Sequence, residues 1–437
     1  MLPLLCALML NPPFHVRNVA PPAHFEARQD KPTATAHADV SVKDTGAVGD
    51  AATDDTAAFQ RALDKAGETG GVVEVPPGRY LLAGTLNVPE SVTLEGSFRA
   101  PERTIYTEGK LEKEKGSILL TTAGKDKEDG TPFITLNRCS TLKGLIVFYP
   151  EQTFDVTPYP WCVRGNGDNC SVVDCLLINP YQAVDFGTNP CGRHYIDGLY
   201  GQPLKTGLFI DKCLDVGRVE NVHFWPFWTA EGKIWDWTSK NGTAFLIAKT
   251  DWEYMSNCFD FMYAIGYHFI AGKDGPGNAV LTQCGSDTGP CAVKIDSVQP
   301  HAGVSFENGQ FMSTVIVGQD NQGPVKFTSC GFWGVQNYTN EQAIIHGFGQ
   351  TTFTACHFVN GAQRDKTAYA IDAFSGGLTV SGCEFLDTGA TTRHIHLGPG
   401  VRTAVLMGNT FRAPIRITNQ ATGQVAVVAN VTATQGK

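Results

Sequence analysis

Val325-Lys326-Phe327-Thr328-Ser329-Cys330-Gly331-Phe332 is a pattern that the chain repeats three more times before it ends. It returns at 351–358, 378–385 and 404–411, so that Cys330, Cys356, Cys383 and Asn409 stand 26, 27 and 26 residues apart. Phe332, Phe358, Phe385 and Phe411 keep that spacing two positions on, and Phe327, Phe353, Val380 and Leu406 keep it three positions before. Each unit therefore reads apolar, any residue, small or bend-forming, Cys or Asn, any residue, Phe. A repeat of this length means stacked units, each burying its apolar face against the next. Strand-forming composition without helical periodicity makes the stack a β-solenoid.

A shorter period carries the same template upstream. Val172, Tyr195 and Val219 align, as do Cys175, Gly198 and Val222, with Asp174, Asp197 and Asn221 between them as bend-forming residues. Two stretches obeying one rule identify an all-β, single-stranded parallel β-helix. Length agrees: a compact single core stops growing at roughly 250–300 residues, whereas a solenoid core lengthens with every coil, which suits 437 residues without an evident linker.

The net charge of −9 argues against nucleic acid and anionic membrane as main partners but not against a sugar polymer. No stretch reaches the roughly 20 apolar residues of a membrane span. Residues 1–38 read as a signal-like and disordered lead, with a short apolar segment at 1–10 and Ala, Pro and His beyond it, and the folded domain as 39–437. Secretion or a periplasmic location is the expectation. Of the 13 cysteines, several lie on the ladders as small buried hydrophobes. Cys284 with Cys291, and Cys162 with Cys170, are the expected loop disulfides. The spacing suggests no metal site.

The domain opens with Val40-Ser41-Val42, Gly46-Ala47-Val48-Gly49-Asp50 and Thr53-Asp54-Asp55-Thr56. A helix follows, capped by Asp54 or Asp55, with Ala57, Ala58, Phe59, Ala62 and Leu63 as its apolar face and Gly67 at its end. Then come Gly70-Gly71-Val72-Val73-Glu74-Val75-Pro76-Pro77-Gly78 and the first coils. This order of elements resembles the N-terminal segment of the pectate-lyase-like superfamily, shared by rhamnogalacturonase-type and polygalacturonase-type hydrolases, some exo-glucanases and phage tailspikes. The resemblance implies a right-handed β-helix whose N-terminal helix covers the open end of the coil and blocks its strand edges. It also implies a polysaccharide as partner. It carries over no catalytic residue: the Asn-Thr-Asp, Gly-His-Gly and Arg-Ile-Lys motifs of polygalacturonases are missing, as is the Arg-x-Pro-x-x-Arg run of calcium pectate lyases.

Candidate chemistry concentrates at 150–275. Five of the seven tryptophans, including Trp225, Trp228 and Trp252, fall within 28 positions. The segment 225–241 interrupts the coil period and reads as a projecting loop, offering flat rings to sugar faces; the plainer alternative is a loop packed by its own aromatics. Asp185 and Asp211 end two apolar strands 26 residues apart. If those strands align, their carboxylates stack near the ~5–5.5 Å spacing of a retaining glycosidase; otherwise they merely bind turn amides. His194 and Arg218 read as equivalent outward positions, followed by outward Glu220 and His223, a face suited to a uronate. Asp251 and Glu253 flank Trp252 as a further acidic candidate. The coils at 300–435 read as scaffold, with His394 and His396 as a surface pair.

These residues support three readings. The first is a glycoside hydrolase using two of Asp185, Asp211 and Glu220, with His194, Arg218, His223, Trp225, Trp228 and Trp252 binding substrate and no cofactor. The second is a uronate lyase in which Asp185 and Asp211 hold Ca²⁺ while Arg218, Lys212 or His194 removes a proton. The third is a tailspike-like binding protein without catalysis. The oligomeric state is left open.

Overall fold

The computed structural model describes residues 40–101, 111, 115–335, 338–389 and 391–433; the expected lead lies outside them. The chain winds into a right-handed parallel β-helix. A typical coil gives one strand to each of three ladders, for example Glu253–Ser256, Phe259–Phe261 and Ile265–Phe269. Each pairs in parallel with the coil beyond it, Met255 with Leu281, Asp260 with Ser286 and Tyr267 with Val293. Some strands, such as Tyr195–Gly201, run on from the first ladder into the second.

The corner between the first two ladders is turned by a single left-handed residue. Asp174, Gly198, Asn221, Asn257, Gln283, Asn308, Ser329, Ala355, Gly382 and Gly408 all have φ between 50° and 67° there. Gly, Asn and Asp adopt that region most cheaply, which explains the bend-forming slot of the repeat. The residue after it points inward, and the structure explains why Cys and Asn interchange at that place. The thiols of Cys330, Cys356 and Cys383 donate to the carbonyls of Phe306, Phe327 and Phe353 one coil back, at 3.4–3.5 Å. Asn409 Nδ2 donates in the same way to Val380 O at 2.9 Å. Either side chain is a small donor that reaches a buried carbonyl between coils. Beside them the phenylalanines stack face to face, Phe332 on Phe358 at 4.8 Å, Phe358 on Phe385 at 4.9 Å and Phe385 on Phe411 at 4.7 Å.

At the N-terminal end α1 (Thr56–Gly67) buries Ala58, Phe59, Ala62, Leu63 and Ala66 against the first coils. Of the two aspartates expected to cap it, only Asp54 bonds a helix amide, that of Thr56 at 3.0 Å. Asp55 makes no side-chain capping bond and instead accepts the Val48 and Gly49 amides. The expected disulfides are also absent: Cys162, Cys170, Cys284 and Cys291 are free and buried, and the described residues contain no disulfide. Each thiol is directed into the core, as Cys170 Sγ is toward Leu136 O at 3.3 Å. Among the described residues no helix is long and apolar enough to cross a membrane.

The segment 225–241 does not project freely. It contains α2 (Gly232–Asn241) and folds onto the outside of the second ladder, where Trp225 meets Phe261 at 4.6 Å and Trp228, which is buried, meets Phe154 at 5.3 Å. The aromatic packing reading holds there. His394 is likewise no surface residue: it is buried between Phe385 and Phe411, with Nδ1 accepting the Arg416 amide. Only His396 faces outward, bonded to Asp372 at 2.7 Å.

Candidate functional site

The ladder register separates the residues that the sequence groups together. Asp185 pairs with Phe209 and Phe186 with Ile210, so Asp211 lies beyond the paired strand end and does not stack on Asp185. Asp185 is fully buried; it accepts Arg164 Nε at 2.5 Å and the amides of Gly187 and Thr188 at 2.9 and 2.8 Å. Asp211 accepts the amides of Lys212 and Lys249 at 2.8 and 2.9 Å. Both carboxylates lock turns, which is the plainer of the two sequence readings.

His194 points inward, not outward. The left-handed Arg193, φ 51°, precedes it, and the true partner of Arg218 is Tyr195. His194 is fully buried, with Nδ1 at 2.9 Å from Cys191 O and Nε2 at 3.0 Å from Glu253 Oε1. Burial disfavours its charge, but the Glu253 carboxylate and the bonds to Cys213 and Glu253 outweigh that and hold its pKa well above the ordinary value. Glu253 is also fully buried, so it does not belong to an outer acidic face. His223 stands outside the core but is hemmed in by the rings of Tyr200, Trp225, Phe227 and Phe259, and burial lowers its pKa.

The outer face of the first ladder carries a different constellation. Tyr195, Arg218, Tyr254 and Val280 form one row, and Asp197, Glu220, Ser256 and Thr282 form the next. Asp197 and Glu220 are therefore direct neighbours on adjacent coils. The Tyr195 hydroxyl lies 3.1 Å from Asp197 Oδ2 and 3.4 Å from Glu220 Oε2, within donating reach of both. Asn221 Nδ2 donates to the other Asp197 oxygen at 2.7 Å. Partial burial, then the charges of and bonds to Asp197 and Glu220, push the phenol up to about 12, so it stays a donor. Arg218 is exposed beside them, and Tyr254 beyond it is 40% exposed.

Next to this face the turns open a cleft of about 620 Å³, lined among others by Asp215, Asp251, Trp252, His301 and Lys326. Trp252 is 60% exposed, with a left-handed backbone and its amide donating to Asn278 Oδ1. Of the residues singled out from sequence, Glu220, Arg218 and Trp252 thus share one surface. Asp185, Asp211 and His194 do not reach it, and Trp225, Trp228 and His223 lie in the packed aromatic cluster. Sequence reasoning misses Asp197 and Tyr195. The signal is there: Asp197 and Glu220 each directly precede a left-handed corner, Gly198 and Asn221. Aligning Asp197 itself as the corner shifts that coil by one residue.

Comparison with known proteins adds the family context. A family profile described as rhamnogalacturonase A/epimerase, pectate lyase-like, matches residues 40–141. An exopolygalacturonase of Arabidopsis thaliana, clone GBGA483, is 41% identical over 216 residues, 43% of this chain and 48% of that protein. The match thus spans about half the length of that relative. Among solved structures, the A-module of the Azotobacter vinelandii mannuronan C-5 epimerase AlgE4 superposes with a TM-score of 0.51 at 13% identity, over 89% of this chain and all of that one. The N-terminal fragment of bacteriophage phi29 gene product 12 gives 0.57 at 13% identity, over 90% of this chain and 70% of that one. At such identities these two likenesses speak for the fold alone. The N-terminal profile and the partial exopolygalacturonase match are the similarities to the pectate-lyase-like superfamily, each over the part of the chain that it covers.

Proposed function

We propose that the protein hydrolyses a glycosidic bond in a uronate-bearing polysaccharide, with Asp197 and Glu220 as the carboxylate pair. The observation that carries this reading is their placement as ladder neighbours on an exposed face, sharing the Tyr195 hydroxyl. Adjacent coils lie roughly 4.8 Å apart, near the ~5–5.5 Å at which one carboxylate attacks the sugar while the other protonates the leaving oxygen. Asp197, held by both Tyr195 and Asn221, is assigned as nucleophile. Glu220, with Tyr195 as its hydrogen-bond partner, is the proton donor and later activates water. The Tyr195 proton can follow the charge from one carboxylate to the other. Arg218 is placed to pair with a substrate carboxylate, and Trp252 and Tyr254 offer rings to neighbouring sugars.

The name of the Arabidopsis relative supports a galacturonate polymer as substrate, and an extracellular setting goes with it. Hydrolysis by this pair calls for no cofactor. The calcium lyase reading loses its ligands, since Asp185 and Asp211 are engaged by Arg164 and turn amides and do not face one another.

The test is incubation of the full chain with polygalacturonate, rhamnogalacturonan and a neutral glucan, scoring reducing ends and unsaturated-uronide absorbance together. Reducing ends without absorbance are expected on an acidic polymer. Asp197→Asn and Glu220→Gln should each lose about 10²–10⁴-fold in rate, with unchanged denaturation midpoints. Absorbance would reassign the protein as a lyase. Silence on every polymer would favour the binding protein, and hydrolysis that survived both substitutions would move the site elsewhere.

A further inference from the structure

Inside the solenoid, at the start of the same strands, three side chains with metal-binding atoms converge. His194, Cys213 and Glu253 are each fully buried, and their donor atoms lie within 4.8 Å of one another. They come from different coils and meet over Gly217, the ladder partner of Glu253. A Cβ on Gly217 would stand 2.3 Å from Glu253 Oε2 and 2.5 Å from His194 Cε1, so the missing side chain is what makes room.

The hydrogen bonding of this cluster is incomplete in one telling way. Cys191 O can only accept, so His194 Nδ1 carries a proton and Nε2 is the atom turned toward Glu253. Nδ1–H donation to a carbonyl is the arrangement that orients metal-binding histidines. Glu253 Oε2, on the other hand, is buried with no hydrogen-bond partner. A carboxylate oxygen taken out of water without a partner carries its full desolvation cost. With protons alone, Nε2–H satisfies one oxygen of Glu253 and leaves the other bare.

We propose that His194, Cys213 and Glu253 bind a zinc ion in the core of the β-helix. Nε2, Sγ and the two carboxylate oxygens supply up to four donors, and a thiolate with an imidazole selects zinc over calcium or magnesium. Binding releases the Nε2 proton of the imidazolium and the thiol proton of Cys213, which otherwise donates to Asp215 O. Zn²⁺ entering and two protons leaving keep the buried cluster neutral: a cation pair with a carboxylate before, and Zn²⁺ with one thiolate and one carboxylate after. No unpaired charge is buried in either state. The ion would staple the coils directly beneath Tyr195 and Arg218.

The experiment is elemental analysis of the untagged full chain, produced in zinc-supplemented medium and also refolded with excess Zn²⁺ before exhaustive dialysis. About one zinc per chain is expected, as for a structural site. Cys213→Ser and Glu253→Gln should lose it, whereas Cys330→Ser, a buried thiol on another ladder position, should retain it. Refolding with Co²⁺ should add thiolate-to-metal charge-transfer absorbance that Cys213→Ser removes. Folded wild-type protein without zinc after both preparations would overturn the proposal and leave a buried ion pair. So would a full complement of zinc in folded Cys213→Ser. Glu253→Gln counts only if its unfolding curve shows a folded chain; the wild-type and Cys213→Ser results decide without it.

Discussion

The coils at 325–411 and those at 185–260 use the same three ladders for different interiors. In the later coils Phe327, Phe332, Phe353, Phe358, Phe385 and Phe411 stack ring on ring, and the thiol ladder runs beside them. In the earlier coils the core admits His194, Glu253 and Asp260, all fully buried. Burial drives the Asp260 carboxyl well above the usual range, partly offset by its bond to Ser286. Directly outside that polar core stand Asp197 and Glu220. The difference teaches that a strict repeat records an interior built mainly by apolar stacking, with His394 and Asn409 as buried polar members. Where the repeat weakens, the core and the face over it carry charged and polar side chains.

That contrast can be broken in order of expected effect. The greatest difference should appear between the two exposed faces: Glu220→Gln slows cleavage by about 10²–10⁴-fold, while Glu384→Gln, an exposed carboxylate on the late coils, leaves the rate unchanged. Equal losses would erase the functional distinction between the regions. In the late core, Phe358→Ala should cost ~3–5 kcal/mol with activity per folded molecule preserved, measured by chemical denaturation. A midpoint matching wild type would refute the load on the stack.

The third test concerns pH. His394 is packed between Phe385 and Phe411, and burial, then the nearby Arg416 charge, lowers its pKa to about 4. The unfolded chain takes up that proton at the ordinary value of 6.5, the folded chain only near 4. The unfolded state therefore binds more protons in between, and stability falls as pH drops through that window. His394→Asn should flatten this acid limb, read from midpoints at pH 7 and pH 4.5; an unchanged slope would show that other groups set it. The smallest effect lies at a corner. Ala355 sits left-handed with φ 52° and is exposed, so Ala355→Asn should stabilise by about 0.5–1 kcal/mol. The same exchange at Ala426, exposed on the strand Gln424–Val428, should bring no gain, because only the corner requires the left-handed backbone.

How far the sequence can be read depends on how strictly each region repeats. Phe332, Phe358, Phe385 and Phe411, and Phe327 with Phe353, Val380 and Leu406, pair as their spacing predicts. Upstream, the spacing misaligns one coil: Val172 pairs with Ile196 and not with Tyr195. Side chains alternate along a strand, so that single step exchanges inside for outside. It turns His194 outward, hides Tyr195 in the core and makes a bend of Asp197.

The sequence by itself determined the parallel β-helix, its N-terminal helix and the aromatic ladders, because apolar periodicity is a local property repeated many times. It also marked Glu220, Arg218 and Trp252 as surface chemistry. Only the tertiary structure decided that Asp197 is the neighbour of Glu220, that Asp185 and Asp211 hold turns, and that His194 meets Glu253 and Cys213 across Gly217. Those contacts join residues from different coils. Their partners are set by ladder register and by the left-handed corners, and a one-residue change in either rewrites every pair.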